Sequence, residues 1–483
     1  MKLIYEQSSP GRPGTALPAA DVPPAPLPPP EVLRLRAAAL PEVSEFQVVR
    51  HFTRLSSLNY SLDADLYPLG SCTMKYNPKA AEAAAALEGF CGLHPATVLL
   101  PGGAARAGGA LRLMAGLQEM LAEITGMDAV SLQPLAGAQG ELAGLLMVRA
   151  YHRARGRPRK YVIVPDTAHG TNPASAAQAG YEILTVPTGA DGQMDYDAFR
   201  EVLDEETAAV MMTCPNTLGI FNTRIADICR AARAAGALMY YDGANLNAVL
   251  GRVRPGDVGF DVVHLNLHKT FGAPHGGGGP GSGPVCVKAP LAPYLPVPVV
   301  ERRPGGEAVL VGDRPESIGR LAAYYGNFSV LVKAYAYILL LGGEGLAEAA
   351  QLAVLNANYL QALLRGRYDL PYDRTCMHEC VFSASRQEKN GVHALDIAKY
   401  LIEAGIHPPT VYFPLIVKEA MMIEPTETET REALDEFVRV MTAAAELAET
   451  DPGRLRAAPV GLRRGRLDEV RAARELDVNF VEE

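Results

Sequence analysis

Asp242 and Lys269 are the two groups whose types and placement can do chemistry together. Asp242 closes a strand-like run, Ala237-Leu238-Met239-Tyr240-Tyr241. Lys269 closes a second apolar alternation, Asp261 to Leu267, through His268. A glycine-rich loop, Gly276 to Gly283, follows directly and suits neither a helix nor an ordinary strand. A carboxylate at one strand end and an amine at another meet the needs of pyridoxal phosphate. The lysine attaches the aldehyde as a Schiff base, and the carboxylate keeps the pyridine nitrogen protonated so that the ring accepts electrons. The plain alternative is a solvated surface lysine. Lys269, however, lies between a buried-looking strand and the glycine loop.

The elements that must position these groups read as an alternation of strands and helices over 105–290. Ala129 to Gln133, Lys160 to Val164 and Ala208 to Thr213 are further strands, and helices run over 104–125 and from Arg224 to Ala235. This alternation predicts an α/β fold with a large, mostly parallel sheet covered on both faces. Ligands bind such sheets at the carboxyl ends of strands. Gln139, His169, Asp242 and Lys269 all follow apolar runs and so share that edge. The small-residue turn Pro134 to Glu141 leads from a strand into a helix, whose free amides and positive dipole end can hold a phosphate. His169, in Asp166-Thr167-Ala168-His169-Gly170, can stack flat on a pyridine ring; alone it would read as a hydrogen-bonded loop residue.

At 483 residues the chain is long enough for two or three domains. Its divisions read as an N-terminal arm and irregular segment over 1–90, a large domain over 91–330, and a linking helix with a small α+β domain over 331–483. The net charge of −9 makes no case for nucleic acid or an anionic membrane surface. The apolar run Tyr337 to Leu341 is too short for a membrane span. Seven cysteines, an odd number scattered along the chain, point to a reducing cytoplasm rather than a disulfide framework. Residues 7–31 are rich in proline and small residues and read as an extended arm. Residues 31–56 read as helix in two pieces broken at Pro41. The segment 57–79 has no sustained period. Its Ser71, Cys72, Thr73 and Lys75 could bind an anion, or could equally serve only to fold the loop. Cys376-Met377-His378-Glu379-Cys380 lacks a second ligand pair with metal spacing, so no metal site is expected and two structural cysteines are the better reading.

Several stretches together are highly specific. They are Arg50-His51-Phe52-Thr53-Arg54-Leu55-Ser56, Tyr67 to Pro78 (YPLGSCTMKYNP), Glu123-Ile124-Thr125-Gly126-Met127, Ala136 to Glu141 (AGAQGE), Asp166 to Pro173 (DTAHGTNP), Tyr241-Asp242-Gly243-Ala244-Asn245, Asn266 to Phe271 (NLHKTF), Tyr325-Gly326-Asn327 and Met422 to Glu427 (MIEPTE). Nearly end to end, the chain resembles the pyridoxal-phosphate-bearing subunit 2 of glycine dehydrogenase (decarboxylating), the P-protein of the glycine cleavage system. The resemblance implies a fold-type I enzyme with a large sheet domain and a smaller C-terminal one. It implies Lys269 as the Schiff-base lysine, Asp242 at the pyridine nitrogen, His169 on the ring, and Ala138 and Gln139 at the phosphate, with Asn266 and His268 also at the cofactor. It further implies decarboxylation of glycine, with transfer of the aminomethyl group to the lipoyl arm of H-protein. A cofactor-free subunit 1 is the implied partner, in an α2β2 assembly. The segment Ala458 to Arg463 departs from the family's histidine- and threonine-containing pattern, and no role is carried over there. Another fold-type I enzyme, such as a cysteine desulfurase or an aminotransferase, would share Lys269, Asp242 and His169. A scaffold that had lost the chemistry would not need Lys269.

Overall fold

A computed structural model describes residues 1–36, 38–275 and 281–478. The expected glycine loop therefore falls largely outside the described residues, at 276–280. Two compact units are present, Met1–Ala64 and Asp65–Glu483.

Among the described residues of the first unit the one α-helix is Glu45–Ser56. The sequence reading placed helix from residue 31. Instead, residues 33–44 form no α-helix among the described positions, and Ser44 starts the helix through a capping box with Gln47. Pro41 removes a backbone donor and disfavours a helical Leu40. The arm folds back on this helix: Glu42 N–H donates to Ser8 Oγ (2.8 Å), Arg12 to Gln47 Oε1 (2.9 Å), and Gln7 meets His51 Nδ1 at 3.0 Å.

The second unit is built on a seven-stranded sheet. Its strands are β1 (Ala129–Ser131), β2 (Tyr161–Pro165), β3 (Glu182–Val186), β4 (Thr207–Thr213), β5 (Leu238–Gly243), β6 (Val262–Leu265) and β7 (Val285–Val287), in the order β1-β7-β6-β5-β4-β2-β3. All neighbours pair in parallel except β7, which runs antiparallel to both β1 and β6. Apolar residues fill both faces. Met239, Tyr241, Val263 and Leu265 enter one core cluster, and Leu238, Tyr240, Val262 and Val285 enter the other. Continuous burial of this kind is what a crossover-connected parallel sheet requires. A hairpin follows, β8 (Val299–Arg302) with β9 (Ala308–Val311).

The helix Phe328–Leu364 leads from this sheet to a third core, made by residues from Ala357 to Leu455. It is long and apolar enough by count to cross a membrane. Gly342, at φ 62° and ψ −177°, breaks it in two, and Val330, Leu331, Ala334, Tyr337 and Ile338 are buried in the sheet's core. Beyond it lie β10 (Cys380–Ser383), β11 (Thr410–Val411) and β12 (Ala420–Ile423), an antiparallel sheet ordered β10-β12-β11, with the helices Ala394–Glu403 and Arg431–Thr450.

Candidate active site

The carboxyl ends of β2, β4, β5 and β6 deliver polar side chains to one cavity of about 150 Å³. Asp242 is the penultimate residue of β5 and 3% exposed. Its Oδ2 accepts from Asn172 Nδ2 (2.8 Å), its Oδ1 accepts from Ala244 N–H (3.0 Å), and His264 Nε2 lies 3.2 Å from Oδ1. Burial pushes this carboxyl up. His264 beside it, the two donated hydrogen bonds and Lys269 outweigh that and hold it below the usual carboxylate range. An ionised carboxylate is thus kept at the sheet edge, with Lys269 also lining the cavity.

Lys269 follows β6 in a tight turn, its N–H donating to Asn266 O (3.1 Å). Its Nζ donates to Ser71 O at 2.7 Å. Ser71 lines the cavity in the left-handed region, φ 64°. The helix Gly137–Ala154 begins at the cavity, where Gly137 and Ala138 line the wall. Its first internal bond is Gly140 N–H to Ala136 O (3.0 Å), so the amides of Gly137, Ala138 and Gln139 precede the ladder, and no side chain caps them. Gly137 permits a close approach, since a Cβ there would meet Asn266 Oδ1 at 2.4 Å. The Gln139 side chain is occupied elsewhere, accepting from Leu135 N–H (2.6 Å) and donating to Leu321 O (3.1 Å). That leaves its backbone amide as its contribution to an anion.

His169 lines the cavity after β2, with its Nδ1 2.9 Å from Thr171 Oγ1, which donates to Glu141 Oε1 (2.7 Å). Its ring meets Phe413 edge-on, at 5.7 Å between centroids. Asn266 lines the cavity, and His268 does not: its Nδ1 accepts from Ser282 N–H (3.2 Å) and its ring abuts His275. Burial, together with the neighbouring His275 and Lys269, pushes His268 down to about 3.

The segment 57–79 is divided. Ser71 reaches the cavity, whereas Thr73 donates to Glu424 Oε1 (2.6 Å) behind it. Cys72 Sγ lies 3.4 Å from His275 Nε2. Lys75 is 3% exposed and spends its three donors on Thr270 O (2.6 Å), Glu427 Oε1 (2.7 Å) and Tyr337 OH (3.0 Å). Burial alone would push this ammonium down, but Glu427 and Tyr337 hold it up. Such a lysine braces the turn that carries Lys269 and has no proton left to offer a ligand.

The chain matches two family models, the glycine dehydrogenase C-terminal domain over residues 349–463 and aminotransferase class-V over residues 140–279. Among curated relatives, a probable glycine dehydrogenase (decarboxylating) subunit 2 of Chloroherpeton thalassium is 54% identical over 99% of this chain and 97% of its own. Its namesake from Halalkalibacterium halodurans is 56% identical over 98% and 96%. The chain belongs to this family. Among solved structures, a glycine decarboxylase (P-protein) of the glycine cleavage system in inhibitor-bound form superposes with a TM-score of 0.70 at 23% identity, covering 86% of this chain and 93% of that one. The architecture is thus that of fold type I pyridoxal-phosphate enzymes, with a large, mostly parallel sheet.

Sequence reasoning missed several residues of this cavity. Glu141, Thr171, Thr213, Thr217 and Asn245 line it beside the expected groups. His378 and Glu379 reach it from just before β10. The only sequence signal for that pair was its place between Cys376 and Cys380, both buried and free. Asn172, which secures Asp242, was legible only as part of the Asp166–Pro173 motif.

Proposed function

We propose that this chain is the pyridoxal-phosphate-bearing subunit of a glycine decarboxylase, passing the aminomethyl group of glycine to the lipoyl arm of H-protein and releasing carbon dioxide. The observation that carries this reading is the meeting of Lys269, Asp242 and an uncapped helix start in one cavity of a chain from this family. The side chains fit the cofactor. Glu141 Oε2, Thr213 Oγ1 and Asn266 Oδ1 are buried around the cavity without hydrogen-bond partners, as the lining of a site for a polar ligand would be.

When bound, pyridoxal phosphate supplies a ring that takes up the electron pair left by departing carbon dioxide. Lys269 Nζ, which donates to Ser71 O, would be the group that holds the cofactor's aldehyde carbon. Asp242 holds a proton on the pyridine nitrogen. The amides of Gly137, Ala138 and Gln139 hold the phosphate at the positive end of their helix. His169 covers the ring. Among the described lining residues, Lys269 is the sole lysine or arginine. Ser71 is the member of its segment in reach of substrate.

The reading extends to a partner subunit 1 in an α2β2 assembly and to lipoylated H-protein as acceptor. Its seven cysteines, all free, fit a reducing cytoplasm. The divisions at 90 and 330 belong to the same reading, with the large domain holding the cofactor and the small one adding His378 and Glu379 to the cavity wall. The test is exchange of labelled bicarbonate into the carboxyl of glycine, with lipoylated H-protein, with and without subunit 1. Exchange that needs both partners and vanishes in Lys269→Ala supports the reading. No exchange in any combination, despite bound cofactor, sends the assignment to another amino acid.

A further inference from the structure

His378 and Glu379 line the cavity, yet the roles above do not use them. Their position follows from the small sheet. Cys380 pairs with Ile423 across the β10–β12 ladder, so the next residues out, Glu379 and Glu424, face each other just beyond the strand ends. Both are buried, at 3% and 0% exposure. Glu424 Oε1 only accepts, from Thr73 Oγ1 (2.6 Å), Asn245 Nδ2 (2.9 Å) and Asn247 Nδ2 (2.8 Å), while its Oε2 has no partner. Glu379 Oε2 accepts from Ser71 N–H (2.9 Å), and its Oε1 lies 3.8 Å from His378 Nε2. Both ring nitrogens of His378, 3% exposed, lack partners. Two buried carboxyl groups face to face cannot both stay charged without a proton or a cation between them.

We propose that Glu379, with His378 beside it, is the acid that protonates the sulfur released when the lipoyl disulfide opens. The proposal rests on the glycine decarboxylase reading above. The carbon that has lost carbon dioxide bonds to one sulfur and the S–S bond breaks, leaving its electron pair on the other sulfur. That sulfur takes the Glu379 proton and becomes a thiol. Glu379 recovers its proton from solvent, which takes up in turn the one that the ammonium group of the next glycine must shed before its nitrogen can bond to the cofactor carbon. The count closes, because glycine less carbon dioxide carries one hydrogen more than the aminomethyl group, and that hydrogen ends on the thiol. Glu379 is suited to hold the proton. Burial first, and then the charge of Glu424, push it well above the usual carboxylate range, against the Ser71 N–H and Lys269, with Cys376 adding to the rise. Burial pushes His378 down, so its ring stays neutral and can receive and pass on a proton.

Glu379→Gln keeps an acceptor for Ser71 N–H but has no proton to give. The infrared difference between wild type and E379Q, recorded at neutral pH without glycine, should carry the carbonyl stretch of a protonated carboxyl. In single turnovers of the holoenzyme with subunit 1, transfer to lipoamide, an alkyl disulfide, should slow by about 10²-fold or more, the usual worth of a general acid. Transfer to an aryl disulfide, whose leaving thiolate needs no proton, should slow far less, and glycine affinity should hold. Absence of the carboxyl band, or equal losses with both acceptors, overturns the proposal. So does a stoichiometric divalent ion that copurifies with wild type and is lost in His378→Ala, since it would make this cluster a metal site. Should E379Q not fold, the wild-type pH profiles decide. Transfer to lipoamide must fall at high pH while transfer to the aryl disulfide does not, and parallel profiles sink the idea. If wild type transfers to neither acceptor nor to lipoylated H-protein, the glycine reading itself fails, while the infrared band still reports on the proton.

Discussion

Asp242 is a carboxylate kept ionised where burial opposes it, and Asn172, Ala244 N–H and His264 supply what solvent would have given. Asp242→Asn keeps the shape and removes the charge that holds the pyridinium proton. Turnover should fall by about 10²–10³-fold, a loss of electrostatic stabilisation of ~3–4 kcal/mol. Cofactor absorbance should persist, and full turnover in this variant would strike Asp242 from its role. Lys75 makes the opposite case. Its type and its place in an irregular segment allowed an anion site or a folding role, and nothing local could choose between them. Its partners, Glu427 and Tyr337, are hundreds of residues away in sequence, so the choice was not legible there. Lys75→Met leaves Glu427 without its cation in the interior and should cost about 3–5 kcal/mol in urea unfolding. Glycine affinity in the fraction that folds should match wild type, and weakened binding with intact stability would return Lys75 to the site.

The strands of the sheet's middle were legible as elements because they are fully buried apolar runs with a functional residue at each exit. Others were not. β3 is an edge strand buried fully at only its last residue, β7 has three residues, β8 and β9 are half-buried, and β12 runs into the Met422–Glu427 motif with no turn signal to isolate it. The antiparallel course of β7 could not be read either, because direction depends on where the chain returns and not on local pattern. Elements are also where two glycines act by different physics. A Cβ on Gly140 would meet Gly283 O at 2.5 Å and His264 Cβ at 3.2 Å, with ordinary backbone angles. Gly140→Ala should therefore force the helix start away from β6, costing about 1–3 kcal/mol and weakening cofactor affinity. Gly342 has open space around it but a φ of 62° with ψ −177°. Gly342→Ala should cost about 1–3 kcal/mol through backbone strain, with cofactor affinity unchanged. Urea midpoints and cofactor titrations of the two variants separate a packing fault from a conformational one.

Across the whole molecule, buried groups of opposite type set the response to acid. Burial and the Lys269 charge push His275 down to about 4, and His268 lies lower still. In the unfolded chain these imidazoles take up protons near pH 6.5. Their contribution to stability is thus complete above that value and is lost as pH falls through it towards 4. Glu429 works in the other direction. Burial pushes it up to about 7, so its contribution is present below the unfolded carboxyl value near 4.5 and is lost as pH rises towards 7. Glu379 acts in the same sense as Glu429. Over pH 4.5 to 6.5 the two kinds oppose each other, and the net slope conceals both. Single substitutions should expose them in the cofactor-free chain. His275→Gln removes a group that gives up a proton on folding, so the rise of stability with pH should flatten by up to about 1.4 kcal/mol per pH unit. Glu429→Gln removes an opposing group and should steepen that rise, by less because its carboxyl is partly exposed. Urea unfolding at half-unit steps from pH 4.5 to 7 would resolve the two slopes. Changes of the same sign in both variants would mean that the folded chain does not hold these protons as its burial pattern requires.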